Sequence, residues 1–165
     1  MTIRLGINGF GRIGRAILRK SLLTPEVEVV HINDLVTPQT LGHLIKYDSV
    51  HSTLQEKVIV EGNSLNIKGK QISISNSKSP AEIPWKDKQV DIVLECTGFF
   101  TKKEDCLLHI KAGAKKVLLS APGKGEDLTV VYGVNHNLLS DKHTVVSNGS
   151  CTTNCLAPPT KVIHE

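Results

Sequence analysis

The chain has 165 residues, about the length of one domain, and a chain of this size can bury a hydrophobic core. Hydrophobic residues make up 39% and charged residues 22%, which excludes an intrinsically disordered protein. The formal net charge is only +4 and aromatic residues are 4%, so the composition argues against a nucleic-acid-binding protein.

The sequence also argues against a membrane protein and a disulfide scaffold. No apolar run approaches the ~20 residues of a membrane-spanning helix, and the N-terminus enters a strand pattern without secretory-signal features. The four cysteines are too sparse for a disulfide framework, and their spacing matches no zinc site. We therefore expect a cytoplasmic protein, with no metal ion and no membrane partner.

Strand and helix patterns alternate at the start of the chain. An apolar strand is predicted over 2–8 and a helix over 11–23, with arginines on its polar side. A β-branched strand follows over 27–33. Thr37 then provides an N-cap, and Pro38 a first residue, for a second helix.

The segment over 56–75 has a different pattern. Polar and apolar residues alternate with a period of two, and Gly62-Asn63 and Gly69 interrupt the alternation. This pattern predicts an antiparallel β-meander inserted among the strand–helix units.

The second half of the chain returns to strand–helix units. A strand is predicted over 90–96, and a capping box at Thr101–Glu104 predicts a helix that ends near Gly113. Further strands are predicted over 116–120, 129–134 and 144–147, and a helix from Cys151 onward. Together these elements predict a Rossmann-type, doubly wound α/β fold with a mostly parallel sheet, whose ligands bind at the carboxyl ends of the strands.

A GxGxxG motif lies between the first strand and the first helix. Gly9 permits a tight turn, Gly11 lets the backbone approach a pyrophosphate, and Gly14 allows close packing of the helix on the strand. Asp34 ends the second strand, where a carboxylate would bind the ribose hydroxyls of NAD and repel the 2′-phosphate of NADP. The motif in this context predicts NAD binding rather than a glycine-rich turn beside a surface aspartate.

Cys151 begins the last predicted helix and is a candidate nucleophile, because helix N-termini favour the thiolate over the thiol. A buried structural cysteine is the alternative. Among the histidines, His164 is nearest in sequence but would lie ~20 Å away along a continuous helix, and no spacing selects another as base. We expect Cys155 to face the packed side of the helix and assign no role to Cys96 or Cys106.

At these residues the sequence closely resembles the glyceraldehyde-3-phosphate dehydrogenase family, and the resemblance covers the whole chain. The matching segments are GINGFGRIGR at 6–15, KYDSVH at 46–51, ECTG at 95–98, SAP at 120–122, VYGVN at 131–135 and SNGSCTTNCLAP at 147–158. The resemblance implies NAD-dependent oxidative phosphorylation of glyceraldehyde 3-phosphate to 1,3-bisphosphoglycerate in glycolysis, through a cysteine thioester.

The resemblance also implies roles for individual residues. Cys151 matches the catalytic nucleophile, with its backbone N–H as an oxyanion donor, and Ser150 and Thr152 match substrate or phosphate contacts. The implied cofactor contacts are Asn8, Gly9, Gly11, Arg12, Ile13, Gly14, Asp34, Lys78, Thr97 and Ser120. The implied ligands are an aldose phosphate and inorganic phosphate, and the implied assembly of the full-length enzyme is a homotetramer.

Chains of this family are about twice as long. The resemblance therefore implies an NAD-binding domain over 1–150 and the start of a catalytic domain over 151–165. The family's catalytic histidine would lie after Glu165, so we expect these 165 residues to be inactive alone. The chain also departs from the family pattern, with Ser52 in place of a usual glycine and with a second proline, Pro159, where the family usually has an apolar residue. Prolines inside a helix remove backbone donors.

Two other functions remain open. Erythrose-4-phosphate dehydrogenase shares both the nucleotide motif and the cysteine signature. A non-catalytic NAD-binding or redox-sensing module would keep the glycine-rich turn and a reactive cysteine without turnover.

Overall fold

The computed structural model describes residues 2–165, so Met1 lies outside it. The nine strands are β1 (Ile3–Asn8), β2 (Val27–Asn33), β3 (Val58–Glu61), β4 (Ser64–Ile67), β5 (Lys70–Ser75), β6 (Ile92–Glu95), β7 (Lys116–Leu119), β8 (Leu128–Thr129) and β9 (Val145–Ser147). The helices are α1 (Arg12–Ser21), α2 (Pro38–Lys46), α3 (Lys103–Lys111) and α4 (Cys151–His164). Two short 3₁₀-helices lie at Pro80–Glu82 and His136–Leu138.

All nine strands form one sheet, in the order β3-β4-β5-β2-β1-β6-β7-β9-β8. Along this order, every neighbouring pair between β5 and the edge strand β8 is parallel. The pairs β3-β4 and β4-β5 are antiparallel and form the predicted meander. The chain leaves β1 for β2 on one side and continues to β6 on the other, which places a topological switch point between β1 and β6. The predicted α/β class with an inserted meander is confirmed.

The parallel strands are buried on both faces. Adjacent residues of a strand point to opposite faces, and Val29 and Val30 accordingly belong to two separate apolar clusters. The cluster with Val29 includes Leu18 of α1 and Leu41 of α2, while the cluster with Val30 includes Cys106 of α3. Helices therefore cover both faces of the sheet, as a parallel sheet requires.

The capping box predicted at Thr101 does not form. Helix α3 begins at Lys103, and Lys102 is an N-cap without a side-chain capping bond. The backbone of Lys124 takes the place of the box, because it accepts the Lys103 N–H at 3.0 Å and donates to the Thr101 carbonyl at 2.9 Å. A contact distant in sequence thus replaces the local one.

The strand predicted over 129–134 is shorter in the structure. Strand β8 ends at Thr129, because the side chain of Asn135 bonds the backbone that a longer strand would use. Its amide donates to the Thr129 carbonyl at 2.9 Å, and its carbonyl accepts the Val131 N–H at 2.7 Å. The segment is folded into a turn instead.

Ser52, where the resembled family usually has glycine, has φ of +62°. Residues with a Cβ adopt this left-handed region at a cost of roughly 1–2 kcal/mol. The Arg19 guanidinium donates a hydrogen bond to the carbonyl of this strained residue, at 3.0 Å.

Helix α4 remains helical through Pro158 and Pro159 and contains no buried residue. Within residues 2–165, none of the helices has both the length and the apolar character needed to cross a membrane.

His31 is buried in β2, and its ring nitrogens bond the hydroxyls of Ser73 and Ser75 at 2.7 and 2.8 Å. Burial lowers the pKa of His31 to about 4, with a smaller contribution from the charge of Lys88. An unfolded histidine has a pKa of ~6.5, so the unfolded chain binds a proton first as the pH falls. Stability is therefore lost as the pH falls from ~6.5 to ~4, by up to about 3 kcal/mol.

We predict that His31→Gln lowers stability at neutral pH but makes it less dependent on pH. Between pH 7 and pH 4.5, the free energy of unfolding should fall less in this variant than in the unmodified chain, because one titrating group is gone. Urea titrations at the two pH values measure this. The exposed His164→Gln should keep the full decrease, and an undiminished decrease in His31→Gln would contradict the assignment.

Candidate functional site

A groove of about 500 Å³ lies at the carboxyl ends of β1, β2 and β6, over the switch point. This volume is within the ~300–1,000 Å³ typical of small-molecule sites. The groove is lined by Asn8, Gly9, Gly11, Asn33, Asp34, Leu35, Ser77, Lys78, Cys96, Thr97, Phe99 and Phe100.

The glycine-rich turn lines one side of the groove and leaves space there. Gly9 has φ of +90°, a conformation that side chains disfavour, and a Cβ on Gly14 would lie 2.4 Å from the Gly9 carbonyl oxygen. A Cβ on Gly11 would meet no atom within 4 Å. Gly9 and Gly14 are thus required by the turn itself, while the space at Gly11 is free for a ligand.

Helix α1 begins directly after this turn and has no side-chain cap at its N-cap, Gly11. Its first turn contains no acidic residue. The N–H groups of a helix's first turn have no partner within the helix and carry partial positive charge. This end of α1 is therefore suited to an anion, and Arg12 and Ile13 present their backbone there.

Asp34 connects the end of β2 to the glycine-rich turn. Its carboxylate accepts the Phe10 N–H at 2.7 Å with one oxygen and the Val36 N–H at 3.0 Å with the other. Because a carboxylate can accept about four hydrogen bonds, capacity for about two more remains at the groove. The bond to Phe10 was not expected from the sequence and gives Asp34 a structural role as well.

Most of the predicted cofactor contacts lie together. Six of them line the groove, namely Asn8, Gly9, Gly11, Asp34, Lys78 and Thr97. Arg12, Ile13 and Gly14 form the adjacent first turn of α1. Ser120 lies outside the lining, one strand further along the edge, directly after β7.

Several lining residues were missed by the sequence reasoning. Phe99 places a large, 84% exposed aromatic ring at the groove, and Leu35 is exposed close to Asp34. Cys96 also lines it, and burial raises the pKa of its thiol to about 12. The signal that could have found them is position, since each follows the end of a parallel strand.

Cys151 lies at the same edge of the sheet, at the start of α4. The N-cap Ser150 accepts the Thr153 N–H at 3.0 Å through its hydroxyl, and Asn154 donates to the Asn148 and Ser150 carbonyls at 2.6 and 3.0 Å. These bonds hold the turn before Cys151. In the part of the chain that the structure describes, the N–H groups of Cys151 and Thr152 have no hydrogen-bond partner, and both residues are exposed.

The thiol of Cys151 is separated from the groove by part of the sheet. Strand β9, which leads to Cys151, is two strands from β6, a separation of ~10 Å. His164 ends the same helix, ~20 Å from Cys151. The expectation that Cys155 faces a packed side is wrong, because Cys155 is exposed on a helix without buried residues.

The other histidines are engaged elsewhere. His31 bonds two serines of β5, and His109 bonds Trp85 and Glu95. His136 and His143 accept backbone N–H groups of their own loops. His51 lies beside Asp48, and the His43 ring packs against the Tyr47 ring. None of these contacts brings an imidazole to Cys151.

Comparisons with known proteins agree with this geometry. The family model for the glyceraldehyde 3-phosphate dehydrogenase NAD binding domain matches residues 3–103, which include the glycine-rich turn, Asp34, Lys78 and Thr97. Over its whole length the chain is 54% identical to the glyceraldehyde-3-phosphate dehydrogenases of Geobacillus stearothermophilus and Pseudomonas aeruginosa. Over 98% of its length it is 51% identical to the Thermotoga maritima enzyme.

The chain spans about half the length of these curated relatives. Their names do not favour the erythrose-4-phosphate alternative. The chain therefore belongs to the glyceraldehyde-3-phosphate dehydrogenase family and carries its NAD-binding domain.

Proposed function

We propose that this chain is the cofactor-binding part of an NAD-dependent glyceraldehyde-3-phosphate dehydrogenase, a glycolytic enzyme that forms 1,3-bisphosphoglycerate. One observation carries the proposal. The glycine-rich turn, Asp34 and an exposed cysteine at a helix start lie along one edge of a parallel sheet, in a chain that matches this family.

The groove fits NAD in three respects. The uncapped start of α1 suits the pyrophosphate, with the Arg12 and Ile13 N–H groups as donors. Asp34 has acceptor capacity left for the ribose hydroxyls. Lys78 and Thr97 line the same groove, and Ser120 lies outside the lining, directly after the next strand toward Cys151.

Cys151 is proposed as the nucleophile. In its thiolate form, the Cys151 sulfur forms a bond to the aldehyde carbon, and the C=O π electrons move to the oxygen, which becomes an oxyanion that the free Cys151 N–H can bind. Bound NAD, held by the glycine-rich turn and Asp34, would supply the hydride acceptor, and loss of hydride from this carbon would leave a thioester on the sulfur. Inorganic phosphate then displaces the Cys151 thiolate to give the acyl phosphate, with Ser150 and Thr152 as proposed substrate or phosphate contacts.

We also propose the domain boundary between 150 and 151, with 1–150 as the NAD-binding domain and 151–165 as the start of the catalytic domain. Support comes from the end of β9 at Ser147 and from α4, none of whose described side chains is buried. The large apolar side chains of Leu156, Val162 and Ile163 are 68%, 76% and 85% exposed. This surface supports further protein contacts, such as those of a homotetramer.

The proposed ligands besides NAD are an aldose phosphate and inorganic phosphate, and the proposed location is the cytoplasm. All four cysteines are free thiols, which is typical of a reducing compartment.

We predict that the chain binds NAD at least about tenfold more tightly than NADP, a difference of ~1.4 kcal/mol. Asp34→Asn should narrow the gap, because it removes the charge that repels the 2′-phosphate while retaining an acceptor for the Phe10 N–H. Calorimetric titration with both cofactors measures this. Asp91→Asn lies at the amino ends of the strands, away from the groove, and should leave the ratio of the two affinities unchanged. Equal affinities for NAD and NADP in the unmodified chain would refute the role of Asp34.

We predict that iodoacetamide at pH 8 labels Cys151 first and Cys155 second. Both are exposed, but only Cys151 has the free N–H groups of a helix start beside it. Burial raises the pKa of both Cys96 and Cys106 to about 12, so only about one in ten thousand of these thiols is ionised at pH 8. Mass spectrometry of each cysteine against time tests the order, and earlier labelling of Cys96 or Cys106 would contradict it.

We predict no measurable NADH formation by these 165 residues from glyceraldehyde 3-phosphate, NAD and phosphate. A positioned acid–base group contributes ~10²–10⁴-fold, and the described histidines all have other partners or lie far from Cys151. Absorbance at 340 nm measures the reaction, with the intact Geobacillus stearothermophilus enzyme as positive control. Turnover within tenfold of that enzyme would mean that a base lies within this chain.

A further inference from the structure

A row of buried polar side chains lies directly beneath the cofactor groove. Asn33, Asn8 and Glu95 end the neighbouring strands β2, β1 and β6 and are register partners. The Asn33 amide donates to the Asn8 carbonyl oxygen at 2.9 Å, and the Asn8 amide donates to Glu95 Oε2 at 2.6 Å. All three are at most 4% exposed. The row crosses the switch point itself.

The Glu95 carboxylate is bonded by four donors. Besides the Asn8 amide, Oε2 accepts His109 Nε2–H at 3.0 Å, while Oε1 accepts the Thr97 N–H at 2.8 Å and the Thr97 hydroxyl at 2.5 Å. Four bonds fill the capacity of a carboxylate. Of these donors, Asn8 and Thr97 line the groove, so one carboxylate holds residues on both sides of the switch point.

Trp85 determines how His109 meets Glu95. The Trp85 indole N–H, which can only donate, bonds His109 Nδ1 at 3.0 Å. Nδ1 must therefore carry a lone pair, and the ring proton lies on Nε2, where it is donated to Glu95. A doubly protonated imidazole would set a donor against the Trp85 donor. The contact thus favours a neutral His109 beside an ionised Glu95.

The Trp85 indole is tightly packed against its neighbours. A Cβ on Gly6 of β1 would lie 2.4 Å from the Trp85 ring, so only glycine admits the indole there. Trp85 and His109 are both 0% exposed, and neither lines the groove. Any influence of these two residues on a ligand is therefore indirect, and the hydrogen bond from His109 to Glu95 connects them to two residues of the groove lining.

We propose that His109, whose tautomer is set by Trp85, is a positioning residue for cofactor binding, which acts by holding the Glu95 carboxylate against Asn8 and Thr97. This inference rests on the proposed NAD site. If the network only stabilised the fold, losing the bond between Trp85 and His109 would affect NAD binding as much as losing the bond between His109 and Glu95. The positioning role instead requires the bond from His109 to Glu95.

Two substitutions of His109 separate these possibilities. In His109→Asn, the short side chain can still accept from Trp85 but cannot reach Glu95. In His109→Gln, the longer amide can still donate to Glu95 from the position of Nε2. Both replace a buried ring by a smaller neutral amide, so both should lower the melting temperature by similar amounts.

Calorimetric titration of the 165-residue chain with NAD is the decisive measurement. We expect affinity to fall at least about tenfold in His109→Asn and less than about threefold in His109→Gln. His143→Asn, a matched control in a loop at the other edge of the sheet, should bind as the unmodified chain does. Equal losses in the two His109 variants would overturn the positioning role while the unmodified chain still binds NAD. An unmodified chain that binds no NAD would overturn the proposed function, and the positioning role with it.

A second measurement needs no substitution and applies if the variants fail to fold. Long-range ¹H–¹⁵N spectra of the histidine rings should show the His109 proton on Nε2, and its signal should shift when NAD is added. A proton on Nδ1, or an unchanged His109 signal at saturating NAD, would overturn the proposal.

Discussion

The structure depends most on one buried carboxylate. Glu95 is 2% exposed, and removing such a charge from water costs several kcal/mol. Four donors offset this cost. They are the Asn8 amide at the end of β1, the His109 ring in α3, and the N–H and hydroxyl groups of Thr97, which follows β6. Leaving one of these bonds unmade would cost ~1–3 kcal/mol, so the ends of β1 and β6 are held in one arrangement. The groove inherits its shape from that constraint.

The same sheet edge uses the start of a helix twice. Helix α1 follows β1 and α4 follows β9, and three strand spacings, ~14 Å, separate β1 from β9. At α1 the N-cap is a glycine, which leaves room for a ligand's phosphates. At α4 the N-cap is a serine that fixes the turn, and a cysteine takes the first helical position. One physical feature, the unpaired N–H groups of a helix start, thus lies beside both the proposed binding site and the proposed nucleophile.

The sequence predicts those features that depend on neighbouring residues. Periodicity located the meander and every strand except the one predicted over 129–134, which ends at Thr129, and the spacing from Gly14 to Asp34 located the groove. It could not predict contacts set by strand register, such as Glu95 with Asn8, which are 87 residues apart. The capping box at Thr101 failed for a related reason, since Lys124 supplies the bonds from another part of the chain. Cys155 was misplaced because helical periodicity assumes a packed face, and α4 has none among the described residues.

The two prolines of α4 lie beyond the contacts that fix the position of Cys151. Each proline inside a helix removes a backbone donor and costs about 3 kcal/mol or more, yet both lie after the first turn. That turn is held separately, by the Ser150 cap and by the bonds from Asn154 to the preceding loop. Further along, the helix is tied back by the bond of Lys161 to the Gly133 carbonyl at 3.0 Å. The position of Cys151 is therefore set by the turn between β9 and α4, and the prolines can weaken the later turns without moving the sulfur.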